Sequence, residues 1–208
     1  MKKLSGDEHF SFAGKQEERK IVDFWSWHSS ALLADTTRAI LAEYIVAMAL
    51  GIDQDTTQNG WDDYDLDYNG THIEIKSSSY LQAWRFVEQS KIVFRISPTK
   101  STFWKDNEVK RRADIYVFCL FACKDREIAD LMKLEQWEFY VVKTSDIDRI
   151  LGGQKTLSLW RLTQLPHIKC VFLRSPYNLI RRIQDPIILF FVIVRPILCL
   201  CFTRKHKD

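Results

Sequence analysis

Four charged side chains around one Asn-Gly dipeptide carry the chemistry this sequence is equipped to perform. Residues 61–68 and 71–77 alternate between polar and apolar, and Asn69-Gly70 lies between them. Such a dipeptide marks a two-residue hairpin turn, because both central positions need positive φ. Pairing outward from the turn sets Tyr68 against Thr71, Asp67 against His72 and Leu66 against Ile73. Asp65 then opposes Glu74, and Asp63 opposes Lys76. Strand alternation gathers Asp63, Asp65, Glu74 and Lys76 on one face, with Leu66, Ile73, Ile75 and Tyr64 on the other. Opposed residues lie about 4.5–5.5 Å apart at Cβ, where like charges destabilise a hairpin. A divalent cation relieves that repulsion. Mg²⁺ binds through one or two carboxylates and leaves its other positions to water and phosphate. A neighbouring ammonium can orient or deprotonate a water and offset charge on a phosphorane-like transition state. The set suits metal-assisted hydrolysis of a phosphodiester, although spacing alone fits a surface hairpin with an ordinary salt bridge equally well.

The surrounding elements separate this triplet from its look-alikes. Glu-x-Lys occurs three times, at Glu18, Glu74 and Glu108. The first and third lie in highly charged stretches without strand alternation and read as solvated surface; only Glu74-Ile75-Lys76 sits on a strand opposite an Asp. Before the hairpin, residues 38–50 carry apolar positions Ile40, Leu41, Ile45, Met48 and Ala49 at helical spacing. Thr36-Thr37 can cap this helix and Gly51 can end it. After the hairpin the pattern predicts a helical piece at 81–87, a strand at 92–96 and a basic loop or short helix over 100–112. A buried central strand follows at 114–122, then a strand at 137–142 and a helix at 144–151. Phe24, Trp25 and Trp27 read as core, and residues 1–20 as a polar lead-in.

In this setting residues 61–84 (WDDYDLDYNGTHIEIKSSSYLQAW) resemble the active-site hairpin of PD-(D/E)xK nucleases, the superfamily of many restriction endonucleases, junction resolvases and repair or defence nucleases. The likeness spans roughly residues 36–145, including the preceding helix with Glu43 and the following segment with Gln82. It implies an α/β fold with a restriction endonuclease-like core, a central mixed β-sheet flanked by helices in the order αβββαβ. It implies that Asp65 and Glu74 bind Mg²⁺, with Mn²⁺ as a substitute, that Glu43 assists as an accessory carboxylate, and that Lys76 is the catalytic lysine. Gln82 matches the glutamine often found near the scissile phosphate. No Pro precedes Asp65, and Asp63 is a competing register for the first aspartate. The implied activity is a Mg²⁺-dependent DNA endonuclease acting on double-stranded DNA and leaving a 5′-phosphate, with a homodimer as one way to cut both strands. The rival is a nucleic-acid-binding or interaction protein of the same fold that no longer cleaves, with the C-terminal tail as a route to a membrane.

Composition sets the outer bounds. The 208 residues are 46% hydrophobic and 27% charged, with 7 Gly and 5 Pro, which excludes a disordered or low-complexity chain. The net charge of +3 is uneven: residues 174–208 carry +5, leaving −2 for the rest. Contact with DNA must therefore rest on a local patch, and residues 91–112 supply one, with Lys100, Lys105, Lys110, Arg111 and Arg112 as the phosphate-binding candidates. The five cysteines form no zinc spacing and suit a reducing cytoplasm. Residues 1–20 hold no apolar signal segment. The organisation expected is a lead-in at 1–20, a nuclease-like domain at 21–173 and a basic, apolar tail at 174–208. The tail's apolar run at 186–202 is split by Arg195-Pro196 into halves too short to span a bilayer.

Overall fold

Alternation and a tight turn appear already in the lead-in. The computed structural model of the chain describes residues 3–52, 57–58, 62–84, 88–101 and 107–170. Within them β1 (His9–Phe12) and β2 (Lys15–Lys20) form an antiparallel hairpin. Its turn is Ala13-Gly14, both at positive φ (50° and 78°). Helix α1 (Ile21–Ser29) follows, opened by the Asp23 carboxylate accepting the Lys20 N–H at 2.8 Å. None of its residues is buried, and Trp27 is 83% exposed. The expectation that Phe24, Trp25 and Trp27 are core is thereby corrected. Aromatic content marks burial only when the helix has a partner surface within the described chain.

Helix α2 (Asp35–Leu50) starts just before Thr36-Thr37, with Ala34 as its N-cap, and ends at Gly51 in the left-handed conformation (φ 72°). That conformation costs glycine nothing sterically. Its buried stripe is Arg38, Ala42, Ile45, Val46, Ala47 and Leu50. The expected stripe was rotated from this one, and Ile40 stays 45% exposed. An apolar run this continuous gives no clear amphipathic phase.

The chain then builds β3 (Leu66–Tyr68), β4 (Thr71–Ser79), β5 (Val93–Arg95), β6 (Thr99–Lys100), β7 (Val109–Lys110), β8 (Ile115–Phe121) and β9 (Trp137–Lys143). Helix α3 (Thr144–Leu151), β10 (Thr156–Ser158), the short α4 (Leu159–Leu162) and β11 (Ile168–Cys170) complete the described part. Among the described residues one mixed sheet runs β11-β9-β8-β4-β3, parallel only between β4 and β8; β5 pairs with β10 and β6 with β7. The fold is thus mixed α/β. All seven residues of β8 are buried, as its continuous apolar run requires. Tyr116, Phe118 and Leu120 join Tyr140 and Val142 in a cluster covered by β5, β10, α3 and α4. Val117, Cys119 and Phe121 alternate to the other face, and α2 packs on β4.

Three differences bear on the site. The first hairpin strand is short, Leu66–Tyr68, because residues 62–65 are bends; Trp61 lies outside the described residues. Residues 81–84 form a bend, a bridge and a turn rather than a helix, and 85–87 lie outside the described residues. The chain divides into units 1–172 and 173–208, and the second lies outside the described residues, as does the apolar run at 186–202. Among the described residues no helix is long and apolar enough to cross a membrane, and Cys119 and Cys123 form no disulfide.

Candidate functional site

The hairpin pairs as its turn dictates for three steps: Tyr68 with Thr71, Asp67 with His72, Leu66 with Ile73. Asn69 and Gly70 take φ of 53° and 80°, and the Asp67 carboxylate accepts the Gly70 N–H at 2.9 Å. There the ladder stops. The Asp65 N–H turns to the Ile73 carbonyl (3.0 Å), and the Asp65 Oδ2 accepts the Ile75 N–H at 2.6 Å. A side-chain oxygen has taken the place of a strand acceptor. Tyr64 accordingly leaves the face expected for it and stacks on the His72 ring, centroids 4.0 Å apart and planes within 7°. Asp63 does not pair with Lys76; its Oδ2 takes the Ser101 hydroxyl and lies 3.8 Å from the Arg112 Nε.

This divergence opens the edge of β4 beside Glu74 and Lys76, which contact each other as an ion pair. Glu43 projects from α2 and borders, with Asp65, one groove of about 890 Å³ walled by Trp25, Tyr44 and Tyr64. Its Oε2 accepts the Gln58 amide at 3.2 Å. The electrostatics bind the four groups into one site. Burial, then the nearby Asp65 charge, pushes the Glu43 carboxyl up to about 7. Burial also raises Asp65 and Glu74, opposed mainly by the Lys76 ammonium, and for Asp65 by the Ile75 N–H as well. Burial disfavours the charged form of all three carboxyls, and a hard cation beside them would offset that cost. Among the described residues no group of three His, Cys, Asp or Glu side chains is spaced as a preformed metal cage. A magnesium-type site, which takes one or two carboxylates and several waters, does not require one.

The other expected residues fare differently. Gln82 is 8% exposed and works as a brace: its Oε1 accepts from Arg38 (3.5 Å) and its Nε2 donates to the Ser79 carbonyl (3.1 Å). Arg111 is a correction to the phosphate-binding set. It is buried, donating to the carbonyls of Ile96, Gly152 and Gln154 and pairing with Asp148. Arg112 is a second correction, because only 8% of its side chain is exposed and it faces Asp63. Lys100 is exposed, Lys110 is exposed and paired with Glu108, and Lys105 lies outside the described residues. Sequence reasoning missed Arg38 and the groove's aromatic walls. An arginine inside an apolar helical stripe was the available signal for the first.

Residues 16–159, more than half of the chain, match the family model described as bacteriophage T4 endonuclease IV. No curated protein and no solved structure matches the chain.

Proposed function

Because the chain belongs to the bacteriophage T4 endonuclease IV family, we propose that this DNA endonuclease cleaves at the opening between β3 and β4, with a divalent cation held by Asp65 and Glu74. Glu43 assists from α2, and Mg²⁺ is the cation favoured, with Mn²⁺ able to replace it. The observation that carries the reading is the broken end of the hairpin ladder, where the Asp65 carboxylate is fixed on the Ile75 N–H of the strand that carries the Glu74–Lys76 ion pair, with Glu43 bordering the same groove as Asp65. The residue types at Asp65, Glu74 and Lys76 support a PD-(D/E)xK assignment with a restriction endonuclease-like core, although the connecting helix of that core is not seen among the described residues.

When bound, the cation supplies charge neutralisation at the phosphate and a more acidic water. The chain supplies the rest. The Ile75 N–H fixes the Asp65 carboxylate, so its orientation costs nothing at the moment of reaction. Lys76 pairs with Glu74. Were Glu74 to hold a cation, the Lys76 Nζ would be left to hold the attacking water or a phosphate oxygen. The aromatic groove beside Glu43 gives a nucleotide an apolar wall next to the acidic centre.

The test is hydrolysis of a labelled DNA duplex and of each of its strands alone, with Mg²⁺, with Mn²⁺ and with a chelator. Cleavage that needs the metal and disappears in Asp65→Asn and Lys76→Ala is expected, with 5′-phosphate ends. Cleavage that survives both substitutions removes the site assignment. Sedimentation of the active species shows whether two copies act together.

A further inference from the structure

Asp65 is the site carboxylate that neither a strand nor a helix holds. Strand β3 begins at Leu66, so the aspartate sits at the end of a bend spanning residues 62–65. One side of that bend is tied to β4 by the Ile75 and Ile73 backbone. The other side is tied through Asp63, whose side chain is 11% exposed and lies 3.8 Å from the Arg112 guanidinium. Arg112 itself donates from Nη2 to the Glu108 carbonyl at 3.1 Å. Two residues on, Asp114 clasps the hairpin: its carboxylate accepts the His72 N–H at 2.8 Å, and its own N–H donates to the His72 carbonyl at 2.8 Å. A closed circuit therefore runs from β4 through His72, Asp114, Arg112 and Asp63 to Asp65, and back to β4 through Ile75.

Charge gives the circuit a purpose. Two aspartates, Asp63 and Asp65, flank Tyr64 beside the same acidic nest. An unneutralised Asp63 would be repelled by Asp65 and Glu74 and would compete with Asp65 for a cation. A buried guanidinium facing Asp63 removes both effects.

We propose that Arg112 is a positioning residue of the nuclease site: by pairing with Asp63 it selects Asp65 as the aspartate that meets the cation and fixes the bend carrying it. The proposal rests on the reading of Asp65 and Glu74 as cation ligands. Outer residues that orient metal ligands are commonly worth roughly 10–100-fold in metal affinity.

The experiment measures Mn²⁺ binding to the full-length protein by electron paramagnetic resonance without DNA, alongside thermal melts. Arg112→Met is expected to weaken Mn²⁺ binding by roughly 10–100-fold, and Arg112→Lys to recover most of that loss. In an Asp63→Asn background, Arg112→Met adds no further loss, since the two act as one unit. Arg111→Met is the control, because it removes an adjacent buried guanidinium that braces β5 and α3; it lowers the melting temperature and leaves Mn²⁺ affinity unchanged. Wild-type affinity in folded Arg112→Met overturns the proposal, as does an equal loss in Arg111→Met at matched stability. Asp65→Asn separates the two levels. If it binds Mn²⁺ as wild type does, the ligand reading and this proposal fall together; if it loses binding while Arg112→Met does not, this proposal alone falls.

Discussion

At the scale of single residues, Lys76 is the group whose removal separates chemistry from binding. Its ammonium pairs with Glu74 and is 29% exposed, so it is neither sealed in the core nor free in solvent. Lys76→Met is expected to lower kcat by about 10²–10³ with little change in KM, the size of losing one preorganised donor at a developing charge. An equal rise in KM with unchanged kcat would reassign Lys76 to uniform substrate binding. Glu43 makes a second, thermodynamic prediction. Its folded pKa is raised to about 7, whereas an unfolded chain titrates it near the ordinary carboxyl value of about 4.3. Between these values the folded state holds a proton that the unfolded state has released, so stability falls as pH rises. Below the lower value the difference vanishes, and above the upper one the penalty is complete. Asp65 and Glu74 shift in the same direction. Metal-free protein should therefore lose several degrees of melting temperature between about pH 5 and pH 8, for a penalty of roughly 1–3 kcal/mol after solvent screening. Glu43→Gln should flatten the curve, and a wild-type melting temperature constant across that window would contradict the raised carboxyl. The identities of Glu43, Asp65, Glu74 and Lys76 as candidates were legible in the sequence because residue type and turn chemistry are local. The detail at Asp65 was not, since it depends on which backbone N–H its oxygen captures.

At the scale of elements, the best-read segments are those whose signal is contained within them. Thr144–Leu151 is a helix with the bounds its pattern predicts, and the strand at Trp137 ends one residue beyond its expected limit. The broken hairpin shows the opposite case. Alternation continues through residues 62–65, but Asp63 finds Ser101 and Arg112 from another part of the chain, and the ladder ends where those contacts begin. Gln82 is likewise held by contacts from another part of the chain. Its position after the lysine strand suggested a phosphate contact, while its burial and its bonds to Arg38 and Ser79 make it a strut between α2 and the exit of β4. Gln82→Ala should therefore cost about 1–3 kcal/mol in stability, the penalty of leaving buried partners unsatisfied. Its kcat should fall less than about tenfold, as befits a group acting through α2 rather than on the reacting atoms. A large kcat loss in a variant of unchanged stability would restore the glutamine to the chemistry.

At the scale of the whole described molecule, composition could say that large aromatics exist but not which of them the core uses. Trp137 is fully buried against Phe121 and Phe139, while Trp27 is 83% exposed. Trp137→Ala should cost about 3–5 kcal/mol in urea unfolding followed by circular dichroism, and Trp27→Ala should stay within about 0.5 kcal/mol. A large cost at Trp27 would mean that α1 is covered in solution.

Charge is where the molecular scale departs most from the expectation drawn from sequence. A basic run of seven Lys and Arg suggested a broad phosphate-binding surface, yet Arg111 and Arg112 spend their guanidinium groups inside the fold. Among the described residues, that leaves Lys91, Arg95, Lys100 and Lys110 of the run exposed. Each phosphate neutralised contributes about 0.9 to the slope of log affinity against log salt on duplex, or about 0.7 on single strands. Lys100→Ala and Lys110→Ala should each lower the slope by at most one such unit, whereas Arg111→Met should leave it unchanged once the protein is folded. The reasoning is that a guanidinium whose donors already serve Ile96, Gly152, Gln154 and Asp148 releases no counterion when DNA arrives. A slope that drops in Arg111→Met at preserved stability would show that the binding surface rearranges around the nucleic acid instead of being laid out in advance.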